Sequence, residues 1–439
     1  MPADSGWDAQ IHGTCDPRFD RVRAVFTGHF GRREEVGAAI CVFHGDELVV
    51  DLWGGLADRR TGRPWRSDTP CMVFSCTKAL TAVCALHLWQ QGRYDMDGTV
   101  TTWWPEFGRA GKEGVTAAHL LSHQAGLPAL ETPVSVADAA DAGALAAMLA
   151  AQEPVWEPGT AHGYHALTFG WLAGEIVRRL SGQPVGDYLA RHITGPLGLD
   201  IWLGAPDDVI GRAARLTTRP PDAPDDRVPG REPDDPGPGG EPDGREPGGD
   251  PDGRERDSRV PGDRPGSPTP AARARSAADL AAALGGPSSL LFRALYNPDT
   301  TSVPGGSNNP AVLRGGWPAS GAVTSAAGLA SFYRHLIAGR ILDPATLQAA
   351  LTPRVSGPDR VMGVDSAFGL GFMRPAVMFL TPPAGAASAF GHTGFGGSAG
   401  LGDLSRGIAM AYVPNRLAGE VSAGLRAYRL AEAVYASIG

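Results

Sequence analysis

Lysine is almost missing from this chain. Across 439 residues arginine supplies nearly every basic position, and only Lys78 and Lys112 carry an amine side chain. A guanidinium does not release its proton near neutral pH, whereas a desolvated ammonium does. Chemistry that needs a titratable amine therefore has two addresses. Cysteine is scarce as well: Cys15, Cys41, Cys71, Cys76 and Cys84 form no C-x-x-C pair and are odd in number. That argues against a disulfide framework or a zinc site and for small buried hydrophobes. There is no apolar run long enough to cross a bilayer, and the N-terminus lacks a basic start followed by an apolar core, so a cytoplasmic location is expected. A net charge of -8 with no basic cluster leaves no electrostatic footprint for nucleic acid or an anionic membrane. No internal repeat is present, and the oligomeric state is not legible.

What is there is an ordinary globular composition, 42% hydrophobic and 20% charged, with enough apolar residues for a sizeable core. A helix is expected from Arg21 to Phe30. Two β-rich runs, Val36 to Phe43 and Leu48 to Trp53, flank His44-Gly45-Asp46 as a hairpin. From Thr77 to Gln91, Leu80, Val83, Cys84 and Leu88 recur at helical spacing, so Ser75 is expected at a helix N-terminus. Helices follow near 118–122, 139–151 and 164–180, with no persuasive strand among them. Between Thr218 and Pro268 the composition changes to Pro, Gly, Asp, Glu and Arg, which predicts a disordered surface insertion. Beyond it, helices are expected over Ser276–Leu284, Ser325–Ile337 and Val421–Ser437, and strands near Phe368–Met373, Ala389–His392 and Ile408–Val413. Strands from both chain ends around a helical middle imply an antiparallel sheet.

The central motif is Phe74-Ser75-Cys76-Thr77-Lys78. A serine hydroxyl is a weak nucleophile until a base takes its proton, and one helical turn puts Lys78 on the face of Ser75. S-x-x-K has only two fixed positions. A rare lysine at one of them gives the motif its weight, against the plain reading of a helix cap beside a surface charge. A second motif, Gly163-Tyr164-His165-Ala166, follows Trp156-Glu157-Pro158-Gly159. Tyr164, leading into a helix, is a candidate proton carrier whose pKa a cationic neighbour would lower. A third, Gly391-His392-Thr393-Gly394-Phe395-Gly396-Gly397, is strand-like and glycine-rich, so its backbone can approach a ligand closely. The N–H of Phe395 could pair with that of Ser75 around a developing oxyanion.

Together these segments resemble the serine β-lactamase and penicillin-binding protein superfamily, in particular its class C-like branch of family VIII carboxylesterases and transesterases. Asp51-Leu52-Trp53-Gly54-Gly55, Leu120-Leu121-Ser122-His123-Gln124-Ala125-Gly126-Leu127 and Pro196-Leu197-Gly198-Leu199 support the likeness. The resemblance implies an α+β, β-lactamase/transpeptidase-like fold: an antiparallel sheet flanked by terminal helices plus a mainly helical subdomain. Residues 1–217 and 269–439 would form one catalytic domain, its helical part at about 76–217, with 218–268 as the insertion. It also implies Ser75 as nucleophile, Lys78 and Tyr164 as general base pair, the Ser75 and Phe395 amides as oxyanion hole, and His392, Thr393, Gly394, Ala166 and His165 against the substrate. No cofactor or metal is implied.

Two positions depart from the lactamase pattern. Where asparagine and lysine are usual stand Ala166 and His392, which removes an amide donor and replaces an ammonium by a largely neutral imidazole. Both shift the expected substrate from lactams toward a small uncharged ester or other acyl compound. Acyl transfer, including peptide-cyclising thioesterase chemistry, is the first alternative, and β-lactamase or D,D-peptidase activity the second. Two further patterns carry less. Gly396-Gly397-Ser398-Ala399-Gly400 matches the G-x-S-x-G elbow, yet no histidine follows it, so a turn or bulge is expected. His119 and His123 have metal-ligand spacing but lack a third ligand, and with His162 and His165 they read as packed or hydrogen-bonded histidines.

Overall fold

The computed structural model describes residues 10–218, 285–286, 288–418 and 424–438. Beyond residue 218, the expected insertion lies outside the described residues, as do the helix expected over Ser276–Leu284 and the first residues of the expected final helix.

The main sheet is antiparallel and draws on both ends of the chain. Strands β1 (Ile11–Cys15), β2 (Gly37–His44) and β3 (Glu47–Asp58) come from the N-terminal side, and β10 (Ala389–Thr393), β11 (Ala399–Asp403) and β12 (Ile408–Pro414) from the C-terminal side. Their order is β1-β3-β2-β12-β11-β10, with β4 (Arg63–Pro64) pairing to β3. A second sheet orders β5 (Cys71–Met72), β7 (Ala322–Thr324) and β6 (Ile201–Leu203) with β7 in the middle, and β8 (Val355–Pro358) pairs with β9 (Asp365–Phe368) as a hairpin.

Alternation along the central strands separates two cores, because successive side chains of a strand point to opposite faces. Ala38, Ile40 and Val42 of β2, with Ile408, Met410 and Tyr412 of β12, pack under the terminal helices α1 (Asp20–Gly31) and Gly424–Ala436. Ala39, Cys41 and Phe43, with Ala409, Ala411 and Val413, face helix Ala326–Ile337 and the helical part of the molecule. At the centre of that part lies α2 (Thr77–Gln90), apolar on all sides and buried from Thr77 to Leu86. A helix that is hydrophobic all round belongs inside a core. Around it pack α3 (Ala117–Leu121), α4 (Ala142–Ala151) and α5 (Thr168–Ser181).

Three local expectations need correction. Tyr164 does not start a helix: α5 begins at Thr168, and Gly163 N–H and His165 N–H donate to the carbonyl and Nδ1 of His123, which holds the segment as an irregular loop. The run Phe368–Met373 breaks after Phe368, because the chain turns through Gly371 at φ +80° with no room for a side chain against Ala82. Strand β11 was hidden by its glycines. Cβ atoms at Gly400 and Gly402 would strike the rings of Tyr333 and Phe390, so the strand lacks the branched side chains by which strands are read.

Cys41, Cys71, Cys76 and Cys84 are buried, Cys15 is partly so, and all five are free thiols. No helix among the described residues is long and apolar enough to cross a membrane.

Candidate active site

Ser75 lies in a single turn of 3-10 helix, Phe74–Cys76, that runs directly into α2. The turn is tight enough to place Phe74 at φ +46°, a region that a bulky residue occupies only when its surroundings hold it there. Thr77 supplies part of that hold, since its hydroxyl donates to the Phe74 carbonyl at 2.5 Å and accepts from Ala322 N–H at 3.0 Å.

Lys78 follows one turn later and is completely buried. Its Nζ lies 3.1 Å from Ser75 Oγ, 2.6 Å from the Ala166 carbonyl oxygen and 3.1 Å from that of Ala319. No carboxylate forms an ion pair with it among the described residues. Burial without a countercharge drives the amine pKa well below its ordinary value. Its three polar neighbours are thus two carbonyl oxygens and the hydroxyl of Ser75.

Tyr164 comes within reach from the loop before α5. The Lys78 Nζ sits 4.9 Å from the centre of its ring, and the ring stacks on Phe368 at 6.1 Å with planes 8° apart. The expected lowering of its pKa is reversed here. Burial holds the phenol well above its usual value, opposed by a hydrogen bond with Ser75 and reinforced by Cys76 and Asp359. Ser75, Lys78 and Tyr164 thus meet in one cluster in which burial lowers the pKa of the amine and raises that of the phenol.

The Phe395 turn is fastened against the Ser75 turn at several points. Ser398 Oγ donates to the Val73 carbonyl at 2.9 Å, the Cys76 thiol lies 3.2 Å from the His392 carbonyl, and the rings of Phe74 and Phe395 meet edge to face at 5.6 Å. A Cβ on Gly394 would strike Val73 O and Ser398 Oγ, so only glycine allows this approach. From the other side Arg426 donates to the Gly396 carbonyl at 2.7 Å while paired to buried Glu35 at 2.8 Å. Neither Ser75 nor Phe395 donates its backbone N–H to a carbonyl among the described residues. Ser398 is consequently a fastener between two turns, and the chain runs from it into a strand rather than a helix.

The remaining candidates divide. His392 is buried, its Nδ1 donates to the Thr393 carbonyl at 2.7 Å, and its Nε2 has no partner among the described residues. Burial, then the nearby amine, pushes its pKa down to about 3, so the imidazole is neutral. Thr393 reaches only the sulfur of Met373, at 3.6 Å. Ala166 contributes its carbonyl to Lys78 rather than its side chain. His165 is spent on its own loop: Nδ1 donates to Gly163 O at 2.7 Å and Nε2 accepts from Leu127 N–H at 3.0 Å. His119 and His123 do not share a helix face, since His119 takes part in the N-terminal capping of α3 and His123 follows that helix at φ +63°. Among the described residues no three His, Cys, Asp or Glu side chains gather as a metal site.

One residue that the sequence did not single out belongs with these. Asp359, in the turn between β8 and β9, is buried and accepts the backbone N–H of Tyr164 at 3.0 Å. Only its place in a Gly-Pro-Asp turn is visible in the sequence, and nothing there ties it to a residue so far away.

The family described as Beta-lactamase matches residues 22–435. The chain belongs to the beta-lactamase family. Over 417 residues it is 30% identical to the esterase/beta-lactamase LipL of Mycobacterium tuberculosis, covering 93% of this chain and 83% of that protein. Among solved structures, a family VIII carboxylesterase superposes with a TM-score of 0.77 at 30% identity, covering 98% of this chain and all of the other (100%). A penicillin-binding protein homolog from Caulobacter crescentus gives 0.76 at 34% identity, with 98% and 100% covered. The beta-lactamase-family fold expected from the motifs, α+β with an antiparallel sheet between terminal helices, is therefore the fold of this chain.

Proposed function

We propose that this beta-lactamase-family chain is a serine hydrolase that cleaves carboxylic esters through an acyl-Ser75 intermediate. The observation that carries the reading is the Lys78 amine, buried without a carboxylate and poised with two carbonyls and the Ser75 hydroxyl around it. As Ser75 Oγ bonds to the ester carbonyl carbon, its proton passes to Lys78 Nζ and the carbonyl electron pair moves onto oxygen. The Ser75 and Phe395 amides would receive that oxyanion. Collapse expels the alcohol oxygen, which takes a proton delivered through the Tyr164 phenol from the Lys78 ammonium. Water then attacks the acyl-serine with the same groups acting in reverse, releasing the acid and restoring Ser75.

Esters are favoured over β-lactams by what lines the site. Ala166 has no side-chain amide, and His392 is a neutral ring rather than a cation for a substrate carboxylate. The solved structure named a family VIII carboxylesterase agrees with that choice, while the relative LipL is named as both esterase and beta-lactamase. The substrate partner is then a small uncharged ester. Hydrolysis of p-nitrophenyl butyrate by wild type and Ser75→Ala tests the reading, with the variant expected to lose essentially all turnover. Equal rates would refute it. Product analysis with an added alcohol separates hydrolysis from acyl transfer, and nitrocefin turnover measures any lactamase activity.

A further inference from the structure

Asp359 is a buried carboxylate with no cationic partner among the described residues. Such a group is costly to bury unless hydrogen bonds replace its hydration, and here they do. Oδ1 accepts three backbone N–H groups, from Tyr164 at 3.0 Å, Val361 at 2.9 Å and Met362 at 2.8 Å. Oδ2 accepts the Ser366 hydroxyl at 2.9 Å, and His162 Nε2 lies 3.0 Å from that same hydroxyl. Two of the three N–H groups belong to the turn of Asp359 itself. The third belongs to a loop 195 residues away in sequence, and it is that of Tyr164.

The rest of the β8–β9 hairpin grips the same loop. Arg360 N–H donates to the His162 carbonyl at 3.1 Å, and a Cβ on Gly163 would strike Val361, so the two turns lie in backbone contact. From β9, Phe368 lies flat against the Tyr164 ring. No regular secondary structure holds Tyr164, since α5 begins only at Thr168. Its own N–H is held by Asp359, the N–H groups on either side of it by His123, and its ring lies against those of His123 at 5.2 Å and Phe368 at 6.1 Å.

We propose that Asp359 is a positioning residue for the reaction, fixing the Tyr164 phenol at Ser75 by anchoring the Tyr164 backbone. It touches neither substrate nor reacting atoms and acts through Tyr164. The inference rests on the proposed role of Tyr164 as proton carrier. Misplacing a reactive group by about 1 Å can lower a rate on the order of a hundredfold, so a loop that no helix restrains needs such an anchor.

The experiment is a double-mutant cycle on p-nitrophenyl butyrate, with kcat and KM determined separately for wild type, Asp359→Ala, Tyr164→Phe and the pair. D359A is expected to lower kcat by roughly 10- to 100-fold with KM within about twofold, and to cost less than about threefold more once Tyr164 is already phenylalanine. Asp359→Asn keeps an acceptor oxygen for the same N–H groups. It is expected within about fivefold of wild-type kcat, and Asp359→Ser, whose shorter side chain cannot reach the Tyr164 N–H, carries the cycle if D359A does not fold. Losses that multiply in full in D359A or D359S, or a KM rise as large as the kcat loss, overturn the proposal. Wild-type activity in Tyr164→Phe overturns the role of Tyr164 and the anchor with it. A weakened Y164F beside an unaffected D359A overturns the anchor alone.

Discussion

The two lysines of this chain are both folded into the interior, yet their surroundings differ. Lys112 reaches the Gln152 carbonyl at 2.5 Å and lies 5.4 Å from the centre of the Phe107 ring. Burial lowers its pKa, and the nearby carboxylates of Glu113 and Glu153 oppose that. Lys78 has no carboxylate to oppose burial and has a serine hydroxyl as its third partner. Rarity therefore did not by itself mark the reactive amine, because the other rare lysine is equally hidden. What separates them, among the described residues, is the lack of a carboxylate near Lys78 and the presence of the Ser75 hydroxyl 3.1 Å from its Nζ.

The sharpest way to break this comparison is to remove each amine in turn. Lys78→Ala is expected to reduce kcat on p-nitrophenyl butyrate by about 10³-fold or more, at the upper end of what a general base contributes. Lys78→Arg should not recover it, because guanidinium has no lone pair to accept the proton. Recovery by arginine would mean that positive charge, not basicity, is what Ser75 needs.

A pH profile of kcat/KM reads the same distinction in the intact protein. With the Lys78 pKa lowered by burial, the amine is free well below the ordinary lysine range of about 10.4, and activity should fall only as acid protonates it. A rate that kept climbing toward that ordinary value would contradict a free amine at neutral pH.

Stability offers a third test. A lysine whose folded pKa is lowered binds fewer protons folded than unfolded, so its burial costs stability at neutral pH, and the cost fades as pH rises toward about 10.4. Lys78→Met loses the two carbonyl bonds at every pH but relieves the proton-linked cost only below about 10.4, so its Tm relative to wild type should be higher near pH 7 than near pH 10. Calorimetry at the two pH values would show no such difference if the lysine were buried charged and paired.

Lys112→Met is expected to have the smallest effect. It removes one hydrogen bond to a carbonyl, about 1 kcal/mol, partly offset by relief of the buried amine, and should shift Tm by no more than about 1 °C while leaving kcat within about twofold. A large loss of turnover would erase the contrast between the two lysines.

Strands β2 and β12 and helix α2 were legible because each carries a long apolar run, whereas β3 and β10 show only short apolar stretches beside their glycines. Strands β1 and β11 were not, the latter because its glycines make room for the aromatic rings of other elements. Within the site, Ser75 and Lys78 were readable as a pair because helical geometry alone brings a residue and its third successor together. Tyr164 was readable as a residue type in a motif, but its helical setting and lowered pKa were both misjudged.

By itself, then, the sequence determined which side chains were available for chemistry and placed one amine a helical turn from one serine. Tertiary structure alone lowered the pKa of that amine, by burying it completely among segments as distant as Ala166 and Ala319, 88 and 241 residues further along the chain. It also decided the setting of Tyr164, through a carboxylate 195 residues beyond it. The reason is physical. Helical spacing is a property of neighbouring residues, whereas a pKa and a loop position are set by whatever the fold packs around them.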